Sequence, residues 1–237
     1  MLKQTFTFIL FLKVLFIHSF ICSLQFNLLT TFYNEKNIQR KLEYKRCFLE
    51  NINNKFINKV YVFYENPQGI EDYLKNSKVK VIPINKRPSF QTYFDFANKY
   101  LRDKFIIISN TDIFFDQTLG LLKNFSFRNQ VLALTRYNIP EYNGKWIRHT
   151  LSFDSWIFKA PLTVKTNSII GTFGSDLLIA YDLLALNIKV INPSLSIKTW
   201  HVHLSDDRKY EKKGEAVSKH WQKIIKTIRE LIPFTYI

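Results

Sequence analysis

The chain has 237 residues, 46% of them hydrophobic and 16% aromatic, enough apolar matter for one sizeable α/β core and too much for a disordered polymer. Its 34 Lys and Arg against 19 Asp and Glu leave a formal charge of +15, spread along the sequence rather than gathered in a tail. That balance admits a nucleic acid, an anionic membrane face or a phosphorylated small molecule as partner. The two cysteines, Cys22 and Cys47, exclude a disulfide-stapled scaffold.

The first stretch, "MLKQTFTFILFLKVLFIHSFICSLQ", joins an early Lys to an apolar run from Phe6 to Leu24, broken by Lys13 and His18. Its length matches the roughly 20 residues that span a bilayer, so residues 1–24 are expected to be a signal peptide or signal anchor. A buried helix is the competing reading, and it would place Lys13 inside a core. The leader implies a membrane-associated or secretory-pathway protein, close to a membrane surface because the first strand follows at once. Asn124, in "NFS", is a glycosylation acceptor only in a secretory lumen.

Residues 25–237 read as one domain. "FNLLTTFY" is an apolar strand. "NEKNIQRKLEYKRCFLENINN" is an amphipathic helix with Asn34 or Asn37 as its cap, a buried Cys47, and Arg40 and Glu43 spaced to pair. "KVYVFYEN" and "VKVIPI" are the second and third strands, with a turn and a short helix in "PQGIEDYLKN" between them. A helix opening on Ser89 leads to the fourth strand, "KFIIISNTD". "DQTLGLLKNF" is a short helix and "QVLALTRY" a fifth strand. Short, wholly apolar strands alternating with helices predict a mostly parallel sheet flanked by helices, with ligands bound beyond the carboxyl ends of its strands.

The second half is richer in aromatics and turn residues and is expected to finish the sheet and wall a cleft. No Gly/Ser linker separates the halves. A last helix, "GEAVSKHWQKIIKTIREL", carries its basic residues outward.

Chemistry concentrates in a few places. In "NTDIFFD", Asp112 ends the fourth strand, where a carboxylate either holds Mg²⁺ or Mn²⁺ or simply forms the turn, while Asp116 reads as the cap of the following helix. No Gly-rich phosphate loop of dinucleotide or P-loop type is present. In "KTWHVHLSDDRKY", His201 and His203 fall on one face of an extended segment, either as metal ligands or as a hydrogen-bonded pair, with Arg208, Lys209 and Tyr210 placed to close over a diphosphate. Asp154 precedes the aromatic strand "SWIF", and Asp176 opens an apolar helix behind Gly171 and Gly174. Those two glycines would leave room for a ligand, and each Asp is a candidate base with a turn or capping role as its alternative. Arg87 follows the third strand, either as a phosphate contact or as a solvated turn residue.

In order and spacing these residues resemble the GT-A-like glycosyltransferases, and within them a small family of predicted enzymes with an NTDI-aromatic-FD core. The resemblance runs from about Phe26 to Tyr210 and rests on Asn37, Arg40, Glu43, Cys47, "RPSF", "NTDIFFD", "LALTRY", "SFDSWIF", "GTFGSD", "INPS" and "HVHLSDDRKY". It implies a GT-A-like α/β domain that moves a sugar from a nucleotide-sugar donor to a hydroxyl of a glycan, lipid or protein. It implies Mn²⁺ or Mg²⁺ on Asp112, with His203 first and His201 second as further ligands. Asp176 falls at the usual base position, with Asp154 as the alternative. Asn37, Arg40, Arg87, Asn110, Trp156, Arg208 and Tyr210 are the substrate-binding candidates. Asn110 stands where such enzymes often have the first Asp of an Asp-x-Asp motif. That departure supports a second reading, a non-catalytic binder of carbohydrate or nucleotide sugar. A nucleic-acid partner is not expected, because the aromatics fall on apolar strand and helix faces rather than among surface cations.

Overall fold

A computed structural model describes residues 24–140, 152–205, 219–232 and 234–237. The expected leader, residues 1–24, therefore lies outside the described residues except for Leu24. Among the described residues, no helix is long and apolar enough to cross a membrane.

In chain order the described strands are β1 (Phe26–Tyr33), β2 (Ile57–Glu65), β3 (Val79–Ile84), β4 (Phe105–Ser109), β5 (Ile113–Phe115), β6 (Gln130–Leu134), β7 (Tyr137–Asn138), β8 (Ser155–Lys159), β9 (Lys189–Ile191) and β10 (Thr199–His201). The α-helices are α1 (Ile38–Asn53), α2 (Phe90–Tyr100), α3 (Ser175–Ala185) and α4 (Lys219–Leu231). The two short helices expected from "EDYLKN" and "QTLGLLKNF" are tighter 3₁₀ segments, Asp72–Leu74 and Gln117–Asn124.

The main sheet has the order β3-β2-β1-β4-β8-β6-β9. β3, β2, β1 and β4 run parallel, β8 lies antiparallel between β4 and β6, and β9 is parallel to β6. This is the α/β class predicted above, a mostly parallel sheet flanked by helices, and strands buried on both faces explain the continuous apolar runs. On one face Leu29, Ile106, Ile108, Trp156 and Phe158 pack with Phe90, Tyr93 and Phe94 of α2 and with Leu177, Ile224 and Ile228 of α3 and α4. On the other, Leu28, Ile107, Leu132 and Ile157 pack with Tyr44, Phe48 and Ile52 of α1. Alternate residues of each strand feed alternate faces, as the two-residue pleat requires.

Local signals placed the helix starts. Asn37 caps α1 by accepting the N–H groups of Gln39 and Arg40, and Ser89 caps α2 by accepting that of Thr92. α3 begins at Gly174, whose φ of 73° is left-handed. A Cβ there would lie 2.7 Å from the Trp221 ring. The expected ligand space behind this glycine is thus filled by the chain's own α4, which corrects the sequence reading of Gly174.

"QVLALTRY" is not one strand. β6 ends at Leu134, and Tyr137–Asn138 joins a separate three-stranded sheet, β5-β10-β7. The register of that small sheet positions the site.

Candidate functional site

Asp112 lies between β4 and β5, at the carboxyl edge of the main sheet. β10 runs antiparallel to β5 with His201 opposite Ile113, and the Asp112 carbonyl accepts the Val202 N–H at 3.0 Å. The backbone therefore holds β10 beside Asp112. His201 Nε2 is 3.2 Å from Asp112 Oδ2, and the His203 ring stacks on that of His201 with centroids 5.4 Å apart. One ligand atom from each of Asp112, His201 and His203 lies within 4.8 Å of the others. The three metal-ligand candidates are thus brought together. A carboxylate oxygen with two imidazole nitrogens suits Mn²⁺ better than Mg²⁺, which favours oxygen ligands alone.

Arg40, on the first turn of α1, reaches into this cluster. Its Nη2 donates to Asp112 Oδ2 at 2.9 Å and to the Tyr44 hydroxyl at 3.2 Å. Its Nη1 donates to Glu43 Oε2 at 2.5 Å and to His203 Nδ1 at 2.6 Å. Glu43 in turn accepts the N–H groups of Leu204 and Ser205, both at 2.8 Å, and so ties the segment after His203 to α1. From Tyr44 a line of hydroxyls continues outward, with Tyr44 Oη 2.7 Å from Tyr33 Oη and Tyr33 Oη 2.7 Å from Glu35 Oε2. Arg87 stands over the Tyr33 ring at 5.9 Å, at the exposed end of this line.

Burial alone would raise the Asp112 carboxyl, but His201 and the Arg40 guanidinium outweigh it and hold Asp112 well below the usual carboxylate range. Burial pushes the Tyr33 hydroxyl and the Cys47 thiol upward, so both stay neutral.

A second polar cluster adjoins the first through Asn110. The Asn110 side-chain amide donates to Asp154 Oδ1 at 3.2 Å, and Arg136 Nη1 donates to the same oxygen at 2.6 Å. Asp154 Oδ2 is buried without a hydrogen-bond partner among the described residues. Asp176, in the first turn of α3, accepts the Phe153 N–H on Oδ2 at 2.9 Å and the Leu177 N–H on Oδ1 at 3.0 Å. Burial, with the Asp154 charge nearby, pushes Asp176 up to about 6 against the pull of those two bonds. The two candidate bases are therefore neighbours, and "NTD" sends one side chain to each cluster.

Several sequence-predicted residues take other places. Trp156 is 2% exposed in the core between Phe90 and Phe153, so it is a packing residue and not a ligand contact. Alternation along β8 turns it to the face covered by α2, while Ile157 fills the opposite face. Asn37 spends its side-chain oxygen on the α1 cap. Asp116 caps the 3₁₀ segment through the Thr118 N–H and also accepts the Trp200 indole N–H at 3.0 Å. Arg208 and Tyr210 lie outside the described residues. Sequence reasoning gave no role to Arg136, although it lies in "LALTRY", and gave Glu43 no role beyond a local pairing with Arg40. An open depression lined by Asn66, Pro67, Pro83, Ile84 and Asn85 lies at the carboxyl ends of β2 and β3, some strands away from Asp112 on the same edge.

No protein-family model and no curated protein matches the chain. Among solved structures it is similar to a crystal structure of residues 1–349 of S. aureus TarS, at 14% identity and a TM-score of 0.44 over 76% of this chain and 58% of that one. A second structure of S. aureus TarS gives 13% identity and 0.49 over 86% and 39%. The inositol-1-phosphate CTP transferase from T. maritima gives 12% identity and 0.48 over 89% and 99%. The chain thus spans 58% and 39% of the TarS chains it resembles.

Proposed function

We propose that the protein is a GT-A-like glycosyltransferase that moves a sugar from a nucleotide-sugar donor to an acceptor hydroxyl of a glycan, lipid or protein. One observation carries the reading: Asp112, His201 and His203 gather at the carboxyl edge of β4, and a second carboxylate pair, Asp154 and Asp176, stands beside them through Asn110. Sugar transfer from a nucleoside diphosphate needs two such places, one for the charge that grows on the leaving oxygens and one for the acceptor's proton.

Asp112, His201 and His203 would hold a divalent cation, Mn²⁺ rather than Mg²⁺ because two of the three donors are imidazoles, and that ion would supply positive charge to the leaving diphosphate. Asp176 takes the acceptor proton. A carboxyl pushed up to about 6 is a better proton acceptor than an ordinary one while still largely ionised at neutral pH. Asp154 keeps that basicity high by its charge, and Arg136 and Asn110 keep Asp154 in place. Arg87 and the depression at Asn66 and Asn85 offer a place for the nucleotide on the same edge. The leader would bring the domain to a membrane surface.

The chain, incubated with Mn²⁺ and a panel of nucleotide sugars, is expected to release nucleoside diphosphate from one of them. Asp112→Asn should lose donor binding, whereas Asp176→Asn should keep it and lose transfer. A folded protein that neither binds nor cleaves any donor overturns the proposal. The alternative, a non-catalytic nucleotide-sugar or carbohydrate binder, draws on Asn110 in place of an Asp, and donor binding without turnover would decide for it.

A further inference from the structure

The arginine in the middle of this cluster is saturated. A guanidinium carries four N–H groups on its two terminal nitrogens, and those of Arg40 have four close partners, Glu43 Oε2, His203 Nδ1, the Tyr44 hydroxyl and Asp112 Oδ2, besides a longer contact from Nη1 to the Val202 carbonyl at 3.5 Å. Its side chain is 11% exposed and that of Glu43 1%. The helix turn that carries it is capped by Asn37, and Glu43 is fixed from behind by the Leu204 and Ser205 amides. A solvated helix arginine has none of this framing.

The contacts also assign the ring protons. A guanidinium only donates, so His203 Nδ1 presents a lone pair to Arg40 and the ring's proton sits on Nε2. A carboxylate only accepts, so His201 Nε2 carries a proton toward Asp112. Two atoms that a cation would seek, Asp112 Oδ2 and His203 Nδ1, are thus already turned toward a positive charge.

We infer that Arg40 is a built-in counter-cation of the Asp112, His201 and His203 cluster, and that a divalent ion binds there only in competition with its guanidinium. The inference rests on reading the cluster as a cation site. A metal bonded to Asp112 Oδ2 at about 2 Å would face Nη2, itself 2.9 Å from that oxygen, across a low-dielectric gap. The two charges repel, so the guanidinium has to leave Asp112 for the ion to enter. Bound metal and docked Arg40 are alternative states of one site. Whatever draws the guanidinium outward, such as an anionic diphosphate arriving at the same edge, raises the site's affinity for the ion.

Mn²⁺ binding to the full chain, followed by electron paramagnetic resonance without donor or acceptor, tests this. Arg40→Gln is expected to bind Mn²⁺ at least about tenfold more tightly than the wild type, because it removes the competing charge. Adding Asp112→Asn to it should abolish that binding. A folded Arg40→Gln protein that binds Mn²⁺ no more tightly than the wild type overturns the inference and leaves the cation site standing. Absence of Mn²⁺ binding in both proteins overturns the inference and the metal part of the proposed function together. Should Arg40→Gln fail to fold, the wild type itself answers by nuclear magnetic resonance with Zn²⁺. Its Arg40 side-chain N–H signals, protected by four hydrogen bonds, should lose that protection as the two imidazoles shift. Imidazole shifts with Arg40 still protected would overturn the inference.

Discussion

The side-chain amide of Asn110 donates to Asp154 Oδ1 at 3.2 Å, on the same oxygen that Arg136 holds at 2.6 Å. The position that departs from the Asp-x-Asp pattern therefore has a physical reason to be an amide. A carboxylate there would face a second carboxylate that is 7% exposed.

Asn110→Asp is accordingly expected to destabilise the protein by about 1–3 kcal/mol at neutral pH, the range for an unmade buried hydrogen bond with like charge added. It should not improve Mn²⁺ binding, because the new carboxylate points to Asp154 and not to Asp112. Urea melts give the first quantity. A variant as stable as the wild type would show that Asp154 does not need a donor at 110.

Asp176 makes stability depend on pH in a known direction. Its carboxyl is pushed up from 3.8 to about 6 in the folded chain, so between those values the folded state binds more protons than the unfolded one. Unfolding free energy therefore falls as pH rises through that window and levels off above it. Relative to Asp176→Asn, the wild type should lose roughly 2–3 kcal/mol between about pH 4 and pH 7, from the size of the displacement. Parallel pH curves for the two proteins would contradict this. In the transfer assay, the rate should rise with pH through about 6 as Asp176 ionises.

Glu43 joins sequence-distant parts of the chain through the Arg40 guanidinium and the amides of Leu204 and Ser205. Glu43→Gln leaves Arg40 with one fewer anion in a buried place and should cost about 3 kcal/mol, the lower end for breaking a buried ion pair. Hydrogen exchange at the Leu204 and Ser205 amides should quicken by more than the global loss of stability accounts for. Unchanged local exchange would mean that other contacts hold this segment.

Gly174 meets two demands, a φ of 73° and contact with the Trp221 ring. Gly174→Ala should destabilise by about 2 kcal/mol, combining the left-handed backbone with overpacking. In a Trp221→Leu background only the backbone part remains, and the cost should fall to about 1 kcal/mol. Thermal melts of the four proteins close this cycle.

What the sequence disclosed follows the range of the interactions involved. The caps at Asn37 and Ser89, the Arg40 and Glu43 pair and the shared face of His201 and His203 are local, and spacing alone exposes them. The apolar runs announced buried strands. They did not announce that β8 would be inserted antiparallel between β4 and β6, because that depends on pairing between distant segments. The same blindness hid β5 inside "NTDIFFD", since "IFF" is a strand only by virtue of β10. Trp156, a binding candidate through the resemblance, lies in the core because β8 is buried on both faces, which its pairing with the distant β4 and β6 decides. "INPS" is likewise structural: Asn192 and Ser194 are fully buried, and they bond the side chain and backbone N–H of Thr135 at 2.9 and 2.8 Å. Asp112 was legible as a strand-end carboxylate, whereas Arg40 as its ion-pair partner required the tertiary structure.

The antiparallel ladder between β5 and β10 has one further consequence. The distance between the residues at 112 and 201 is set by main-chain hydrogen bonds, with His201 opposite Ile113 and Val202 bonded to the Asp112 carbonyl. Side-chain identity does not enter that spacing. The scaffold therefore fixes how far apart the backbones at 112 and 201 stand whatever side chains they carry, and the length of each side chain alone decides which atoms meet across that gap.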